Sequence, residues 1–415
     1  MSDALYWIWL QEAVGIGNIK ADKAVELFQS PKVVYELSRD QLTGSGLFTP
    51  KEADKIKNTT LKNAEINLEL ARKMGCQVIT PRDSQYPRNL ANIASRPCVL
   101  YTLGDISDLD DRLLITIVGA RERKASDYGI TAARKLSFDL AAAGCTVVSG
   151  LAKGVDTAAH EGALLAGGKT IGFCACGLDY RYPAGSDELK RKMLENGGAL
   201  ISEFPFGEQA HKYNFSIRNR LLSGISSGVV VAQASLTSGA LITARYAFEQ
   251  DRDVFAVPGD MFDPTMAGCN RLIKDRAKIV LNVYSILEEY INCFPPTIDK
   301  TQVVGKIKEA NAKLNRQPVD FAGRREGEPL PMVAQDNPGE KMIHRLSQEE
   351  LDRQNISEIG KKIYRMLSYD PMDCDMISQR GGLEAMEVMS AMTELELVGL
   401  ADVLPGKRYI IKERN

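Results

Sequence analysis

LLITIVGAR, residues 113–121, is the stretch on which the fold turns. A run of apolar and β-branched residues leads into a glycine, a small residue and an arginine, which reads as a buried strand ending in a tight turn. The figure recurs along the chain. Residues 145–149 lead into Gly150, residues 170–175 into Gly177, residues 229–233 into Ser238-Gly239, and residues 254–257 into Pro258-Gly259. Between these runs lie segments of helical period, among them 126–143, 157–166, 187–196 and 240–250. Such alternation predicts βαβ units and an α/β fold: an extended Rossmann-like, doubly wound, mostly parallel sheet covered on both faces. The strand ends that carry the glycines then share one edge, where sheets of this kind bind their ligands.

At 415 residues the chain exceeds one typical domain. No apolar run approaches the roughly 20 residues that span a bilayer. The opening MSDALYWIWLQE lacks the basic start and long apolar core of a signal peptide, so a cytoplasmic protein with no membrane partner is expected. Eight cysteines without a CxxC pair read as reduced, mostly buried thiols. A net charge of −2 excludes a uniformly basic surface, so any nucleic-acid site must be a local concentration of charge.

Four segments are expected. Residues 1–75 form a helical N-terminal domain with Gly-x-Gly turns at 15–17 and 44–46, which suits either a helix-hairpin-helix (SAM-like) array on DNA or a packing module. Residues 76–294 form the Rossmann-like core, with an extra strand pair at 76–80 and 97–103. Residues 295–355, rich in proline, glycine and charge, read as a linker interrupted by a short helix at 302–314. Residues 356–415 carry three helices and a hairpin, the plan of a winged helix. Between residues 356 and 404 four Lys/Arg face nine Asp/Glu, a net of −5. The third helix holds Glu384, Glu387, Glu394 and Glu396, which a phosphate backbone repels, so protein contact is expected there. The basic tail of Lys407, Arg408, Lys412 and Arg414 is the counter-argument.

Four constellations carry the chemistry. Gly119-Ala120-Arg121, with Arg123, Lys124 and a Ser126 N-cap, suits an anion, or else is a tight turn with a solvated arginine. In SGLAKGVDTAAHEGAL, Gly150 and Gly154 let backbone N–H groups curl around an anion, Lys153 adds charge and Asp156 caps the following helix. His160, one turn on, is expected to be buried and bonded to Asp156 in a structural role, not a metal or acid-base one. In HKYNFSIRNRLLSG, Arg218, Asn219 and Arg220 lie close to Tyr213 and Phe215, the pattern of phosphates on arginines and bases stacked on rings; the alternative is an amphipathic helix with solvated arginines. Ser238 and Gly239 open another helix at the same edge. No nucleophile, base and orienting partner can be assembled from these segments, so no catalytic residue, metal or cofactor is expected.

In this order the four stretches resemble the DNA-processing protein A family, also called DprA or Smf. Its G-[SA]-R turn is similar to Gly119-Ala120-Arg121, its SGLARGID…AH…GAL block to residues 149–164, its FPxRNR segment to residues 215–220, and its SGSLITA…VFAVPG block to residues 238–259. Four departures stand out: Lys153 for the common arginine, Ser216 for proline, Gln233 for a frequent glutamate, and Lys274-Asp275-Arg276-Ala277 where a glycine usually precedes the alanine. The resemblance implies a dimer that binds and protects incoming single-stranded DNA without much sequence preference. It further implies loading of RecA recombinase during natural transformation or recombination, and no enzymatic activity. Gly119, Arg121, Gly150, Lys153, Gly154, Arg218, Asn219, Arg220, Ser238 and Gly239 become the phosphate-binding candidates. A nucleotide-processing Rossmann enzyme of the phosphoribohydrolase type is the competing class, but Pro258-Gly259-Asp260-Met261 lacks the PGGxGT continuation. An adaptor working only through the terminal domains is a third.

Overall fold

The apolar runs become strands of one sheet: β1 (Gln77–Ile79), β2 (Leu100–Gly104), β3 (Leu114–Val118), β4 (Thr146–Ser149), β5 (Thr170–Phe173), β6 (Ala199–Ser202), β7 (Gly228–Val231), β8 (Asp253–Ala256) and β9 (Lys278–Ile279). Their spatial order is β1-β2-β6-β5-β4-β3-β7-β8-β9. From β6 to β9 every neighbouring pair is parallel, while β1 and β2 add the expected antiparallel pair at one edge. The chain moves outward from β3 through β6, then returns to β7 on the other side of β3. That reversal opens a crevice at the carboxyl ends of β3 and β7.

These coordinates are a computed structural model describing residues 3–290, 292–293, 302–314, 346, 348–352, 356–367, 372–404 and 408–411. They fall into two compact units, Met1–Gln335 and Asp336–Asn415. Among the described residues no helix is long and apolar enough to cross a membrane.

In the first unit the helices are α1 (Asp3–Val14), α2 (Ile19–Phe28), α3 (Pro31–Glu36), α4 (Arg39–Gly44), α5 (Pro50–Asn58), α6 (Lys62–Lys73), α7 (Arg88–Ala91), α8 (Asp127–Ala142), α9 (Val155–Leu165), α10 (Asp187–Glu195), α11 (Lys212–Ile225), α12 (Ala240–Glu249), α13 (Ala267–Asp275), α14 (Tyr284–Leu287) and α15 (Val303–Leu314). Strand alternation sorts the run at 113–118 between two cores. Leu113, Ile115 and Ile117 pack with Leu136, Leu140, Ala159 and Ala163 of α8 and α9. Leu114 and Val118 face the side of Leu221, Leu222 and Ala244 on α11 and α12. Thr116, the polar residue in the run, is satisfied on that second face: its Oγ1 donates to the Leu222 carbonyl at 2.7 Å and lies 2.8 Å from the Ser226 hydroxyl.

The N-terminal helices do not stand apart from the sheet. Trp7, Trp9 and Leu10 share one core with Cys98, Val99, Tyr101 and Leu200 of the β1–β2–β6 edge. Gln11 donates across this junction to the Glu203 carbonyl at 2.8 Å. The first Gly-x-Gly turn is explained by packing: Gly17 has φ +72°, and a Cβ there would lie 3.2 Å from Ile217 of α11. Helix α15, expected inside a linker, docks on α8 through Val303 and Ile307, and Asn311 Nδ2 donates to Asp139 at 3.0 Å. Residues 295–301, 315–345, 347 and 353–355 of the expected linker lie outside the described residues.

The second unit holds α16 (Gln348–Asp352), α17 (Glu358–Met366), α18 (Cys374–Gly381) and α19 (Ala385–Leu397), with β10 (Met372–Asp373), β11 (Ala401–Leu404) and β12 (Arg408–Ile411). Its antiparallel sheet has the order β10-β12-β11 around a core that includes Ile363, Ile377, Val388, Met392 and Leu395. This is a winged helix, with β10 a strand too short to leave a sequence signal. Lys407, Lys412 and Arg414 of the basic tail lie outside the described residues.

A buried ion pair ties α11 to the end of β6. Arg220 Nη1 and Nη2 donate to the two Glu203 carboxylate oxygens at 2.8 and 2.7 Å, with both side chains no more than 4% exposed. Removing one partner leaves the other charge buried and uncompensated. Glu203→Ala should therefore cost about 3–5 kcal/mol in urea unfolding, and Glu203→Leu combined with Arg220→Met should recover most of it. Equal stability of wild type and Glu203→Ala would contradict this role.

Candidate nucleic-acid interface

The turns that leave β3 and β4 are laced together at the crevice. Glu122 N donates to the Lys153 carbonyl at 2.8 Å, Val155 N donates to the Ala120 carbonyl at 3.1 Å, and Arg121 pairs with Gly154 as an antiparallel bridge. Gly154 makes this possible, since at φ +110° a Cβ would fall 2.6 Å from the Ala120 carbonyl oxygen and 2.7 Å from Glu122 N. Gly119 is needed for the same approach, because a Cβ on it would strike Val155 at 2.8 Å. The lacing brings the two turns together and leaves Arg121 on one and Lys153 on the other exposed. Lys153 Nζ lies 4.0 Å from the exposed Glu122 carboxylate, a pairing weak enough for a phosphate to displace.

Beneath the turns the structure corrects the expected roles. Arg218 and Arg220, read as phosphate contacts, are buried. Arg218 Nη1 donates to the carbonyls of Gly150 and Phe173 at 2.6 and 2.5 Å, holding the carboxyl ends of β4 and β5 together. Gly150 makes room for that guanidinium, which a Cβ would meet at 2.4 Å. Arg220 is committed to Glu203. The loop N–H groups expected to curl around a ligand anion instead serve an internal one: buried Asp156 accepts from Ala152 N at 3.3 Å and from Gly150. Burial raises its carboxyl above the ordinary range, and the nearby Arg218 charge works against that rise. Helix α9 begins at Val155 with Gly154 as N-cap, so Asp156 sits inside the first turn instead of capping it. Leu151 between them has φ +62°, a left-handed conformation costing about 1–2 kcal/mol, and its side chain is buried against Gly172.

One aromatic side chain of α11 packs against Arg121 and another stands exposed. The Arg121 guanidinium lies over the Phe215 ring at 4.4 Å from its centroid, and Phe215 meets Tyr182 edge-on at 5.4 Å. Tyr213 is 61% exposed and stacks on His211, with ring centroids 6.0 Å apart and planes 5° apart. Tyr213 thus offers an open face, whereas Phe215 is already occupied in orienting Arg121. Asn219 lies at the next turn, its Nδ2 3.5 Å from the Gly239 carbonyl, and Ser238 Oγ accepts from Ala240 N at 3.3 Å. Gln233, which stands where the family frequently has a glutamate, accepts from Ser126 N at 2.9 Å. It also donates to Thr265 Oγ1 at 2.8 Å. An ionised carboxylate could only accept. Sequence reasoning missed Gln233 and Glu203 as the residues that brace the edge; both lie at the ends of apolar strands, which is the one signal they carry.

His160 is buried as expected, but its partner is different: Nδ1 lies 2.7 Å from Thr170 Oγ1 on β5, not on Asp156. Burial, aided by the Arg218 charge, lowers its pKa to about 3. The unfolded chain protonates this imidazole below its ordinary value of 6.5, while the folded chain resists until about 3. Its contribution is therefore complete above pH 6.5 and is lost as pH falls toward 3, at up to about 1.4 kcal/mol per pH unit. Urea unfolding at a series of pH values should show a shallower loss for His160→Gln than for wild type; identical slopes would refute the assignment. Gly154→Ala should destabilise by more than about 1 kcal/mol, because alanine adopts neither this φ nor this close approach.

Three comparisons bear on these features. A family model described as DNA recombination-mediator protein A matches residues 77–291, and a DprA winged helix domain model matches residues 350–407. Protein Smf of Synechocystis is 30% identical over 98% of this chain and 98% of its own length. Protein Smf of Escherichia coli is 34% identical over 79% of this chain and 89% of its own. The structure of DNA processing protein A from Streptococcus pneumoniae superposes with a TM-score of 0.59 at 33% identity, covering 70% of this chain and 98% of that one. With a model spanning more than half its length and relatives matched nearly end to end, the chain belongs to the DNA recombination-mediator protein A family, DprA/Smf.

Proposed function

We propose that the protein binds single-stranded DNA along the carboxyl edge of its sheet and delivers it to RecA recombinase during natural transformation or recombination. The observation that carries the reading is the lacing of two glycine turns. It leaves Arg121 and Lys153 exposed on adjoining turns, and α11, whose Phe215 ring carries the Arg121 guanidinium, also bears the exposed ring of Tyr213. Cations spaced along a groove and an accessible aromatic face are what a strand without duplex structure needs, and neither demands a particular base. Phosphate contact falls to Arg121 and Lys153. Gly119, Gly150 and Gly154 shape the turns, and Asn219, Ser238 and Gly239 extend the edge. Arg218 acts from below by holding the strand ends. The protein acts by binding and not by catalysis, in the cytoplasm. A phosphoribohydrolase reading is disfavoured because Glu203, a buried carboxylate just past β6, is neutralised by Arg220. A homodimer is supported by exposed Ile279, Leu281 and Tyr284 around the edge strand β9, an apolar surface that a second copy would cover.

Titration of a labelled oligo(dT) across a salt series tests the site. Arg121→Ala should weaken binding and flatten the slope of log K against log salt by about 0.7, with little change in thermal stability. Lys153→Glu should be worse than Lys153→Ala, since it sets a carboxylate where a phosphate must sit. Unchanged affinity and slope in Arg121→Ala would sink the proposed site. Deleting the chain from residue 356 should leave oligo(dT) affinity within a few-fold, because α19 presents exposed Glu384, Glu387 and Glu396. A tenfold or greater loss with the core still folded would move DNA contact to the winged helix.

A further inference from the structure

Two of the most exposed large apolar side chains among the described residues stand next to each other on the loop that leaves β8. Met261 is 80% exposed and Phe262 84%. The loop that carries them is firmly tied. Asn270 clasps its base, accepting from Gly259 N and donating to the Gly259 carbonyl, both at 3.1 Å. Asp260 Oδ1 accepts from Phe262 N and Asp263 Oδ1 from Thr265 N, each at 2.8 Å, and Met266 anchors the far end in the core. These side-chain turns fix the backbone on both sides of Phe262 and hold its ring out in water, an apolar face left for a ligand to cover.

The same loop is joined to the turn that bears Arg121. Gln233 links Ser126, just past that turn, to Thr265, and the Tyr128 hydroxyl donates to the Pro258 carbonyl at 2.8 Å. Because β3, β7 and β8 are successive parallel neighbours, the carboxyl ends of β3 and β8 lie about 10 Å apart, a step that a short run of extended strand covers. Tyr128 and Leu236, both exposed, continue the apolar surface between them. Charge divides this edge in two. Arg121, Arg123 and Lys124 after β3 and Lys153 after β4 are exposed cations, whereas Phe262 stands between Asp260 and Asp263. Those carboxylates repel phosphates, so the part of a strand that suits the β8 end is its bases. We propose that Phe262, with Met261 beside it, is a stacking platform for a base of the strand whose phosphates lie on Arg121 and Lys153. This rests on the single-strand reading above and extends that site across the sheet. A ring stacks on any base, so the platform adds affinity and no sequence preference.

The test titrates oligo(dT) into the full chain across a salt series. Phe262→Ala should weaken binding about tenfold, the loss one stacked base supports, with thermal stability unchanged. The slope of log K against log salt should stay at its wild-type value, because no phosphate contact is removed, in contrast to Arg121→Ala. Phe262→Trp should keep wild-type affinity. Since Trp7 and Trp9 are buried, the added indole reports on the loop, and oligo(dT) should quench its emission. A strand of abasic sites of equal length should bind wild type and Phe262→Ala equally, having nothing to stack. Equal oligo(dT) affinity of wild type and Phe262→Ala overturns the proposal and leaves single-strand binding at the cations standing. If that variant keeps its affinity but sediments as a smaller species than wild type, the loop is a contact between copies of the chain, which also overturns it. Failure of wild type itself to bind oligo(dT) removes the single-strand reading, and the platform with it.

Discussion

One guanidinium under the sheet's carboxyl edge conditions everything above it. Arg218 takes two carbonyls that end adjacent parallel strands and would otherwise be left without donors, and holds them within reach of one nitrogen. It does so without a direct ion pair. Its charge is buried, which lowers its own pKa, and it is balanced at longer range by the Asp156 carboxylate. Around it the backbone has little choice. Gly150 must lack a side chain, Leu151 must turn left-handed, and the loop must double back so that its amides reach Asp156. Only then do Gly154 and Arg121 meet. The exposed cations are thus the outer layer of a polar assembly whose centre never touches solvent.

β3, β4, β5, β7 and β8 were legible because their apolar runs are unbroken and lead into glycine turns, so the doubly wound sheet and its candidate edge could be read directly; β6 and β9 lead into no such turn and went unread. Roles within the edge were less legible, for a reason that lies in sequence separation. Arg218-Asn219-Arg220 looks alike at both ends on a page, yet burial of Arg220 is decided by Glu203, and that of Arg218 by carbonyls at residues 150 and 173. His160 had a plausible local partner in Asp156, but Thr170, brought by the next strand, lies nearer its ring nitrogen. Local spacing names candidates, and long-range packing chooses among them.

The N-terminal helices illustrate the same limit. LYWIWL is buried along its whole length, so it carries no amphipathic period that would reveal which face meets the sheet. Those residues join a core with Tyr101 and Leu200, and the boundary expected near residue 75 is crossed by a continuous apolar interior. Helix α15 similarly extends the first unit into a stretch whose composition suggested a tether. Composition reports the cost of ordering a segment, not whether a neighbour offers a surface that repays it.

The bridge between Arg121 and Gly154 has a consequence for how this edge can change over generations. Any single-codon replacement of Gly154 introduces a side chain into a space with no room for one, and so removes the frame along with the contact. Lys153, one position earlier, points outward and can exchange with arginine at no cost to the backbone. Under the proposed role, variation in DNA affinity is thereby channelled into the outward-facing position, and a lineage can tune a grip on a strand without risking the fold beneath it.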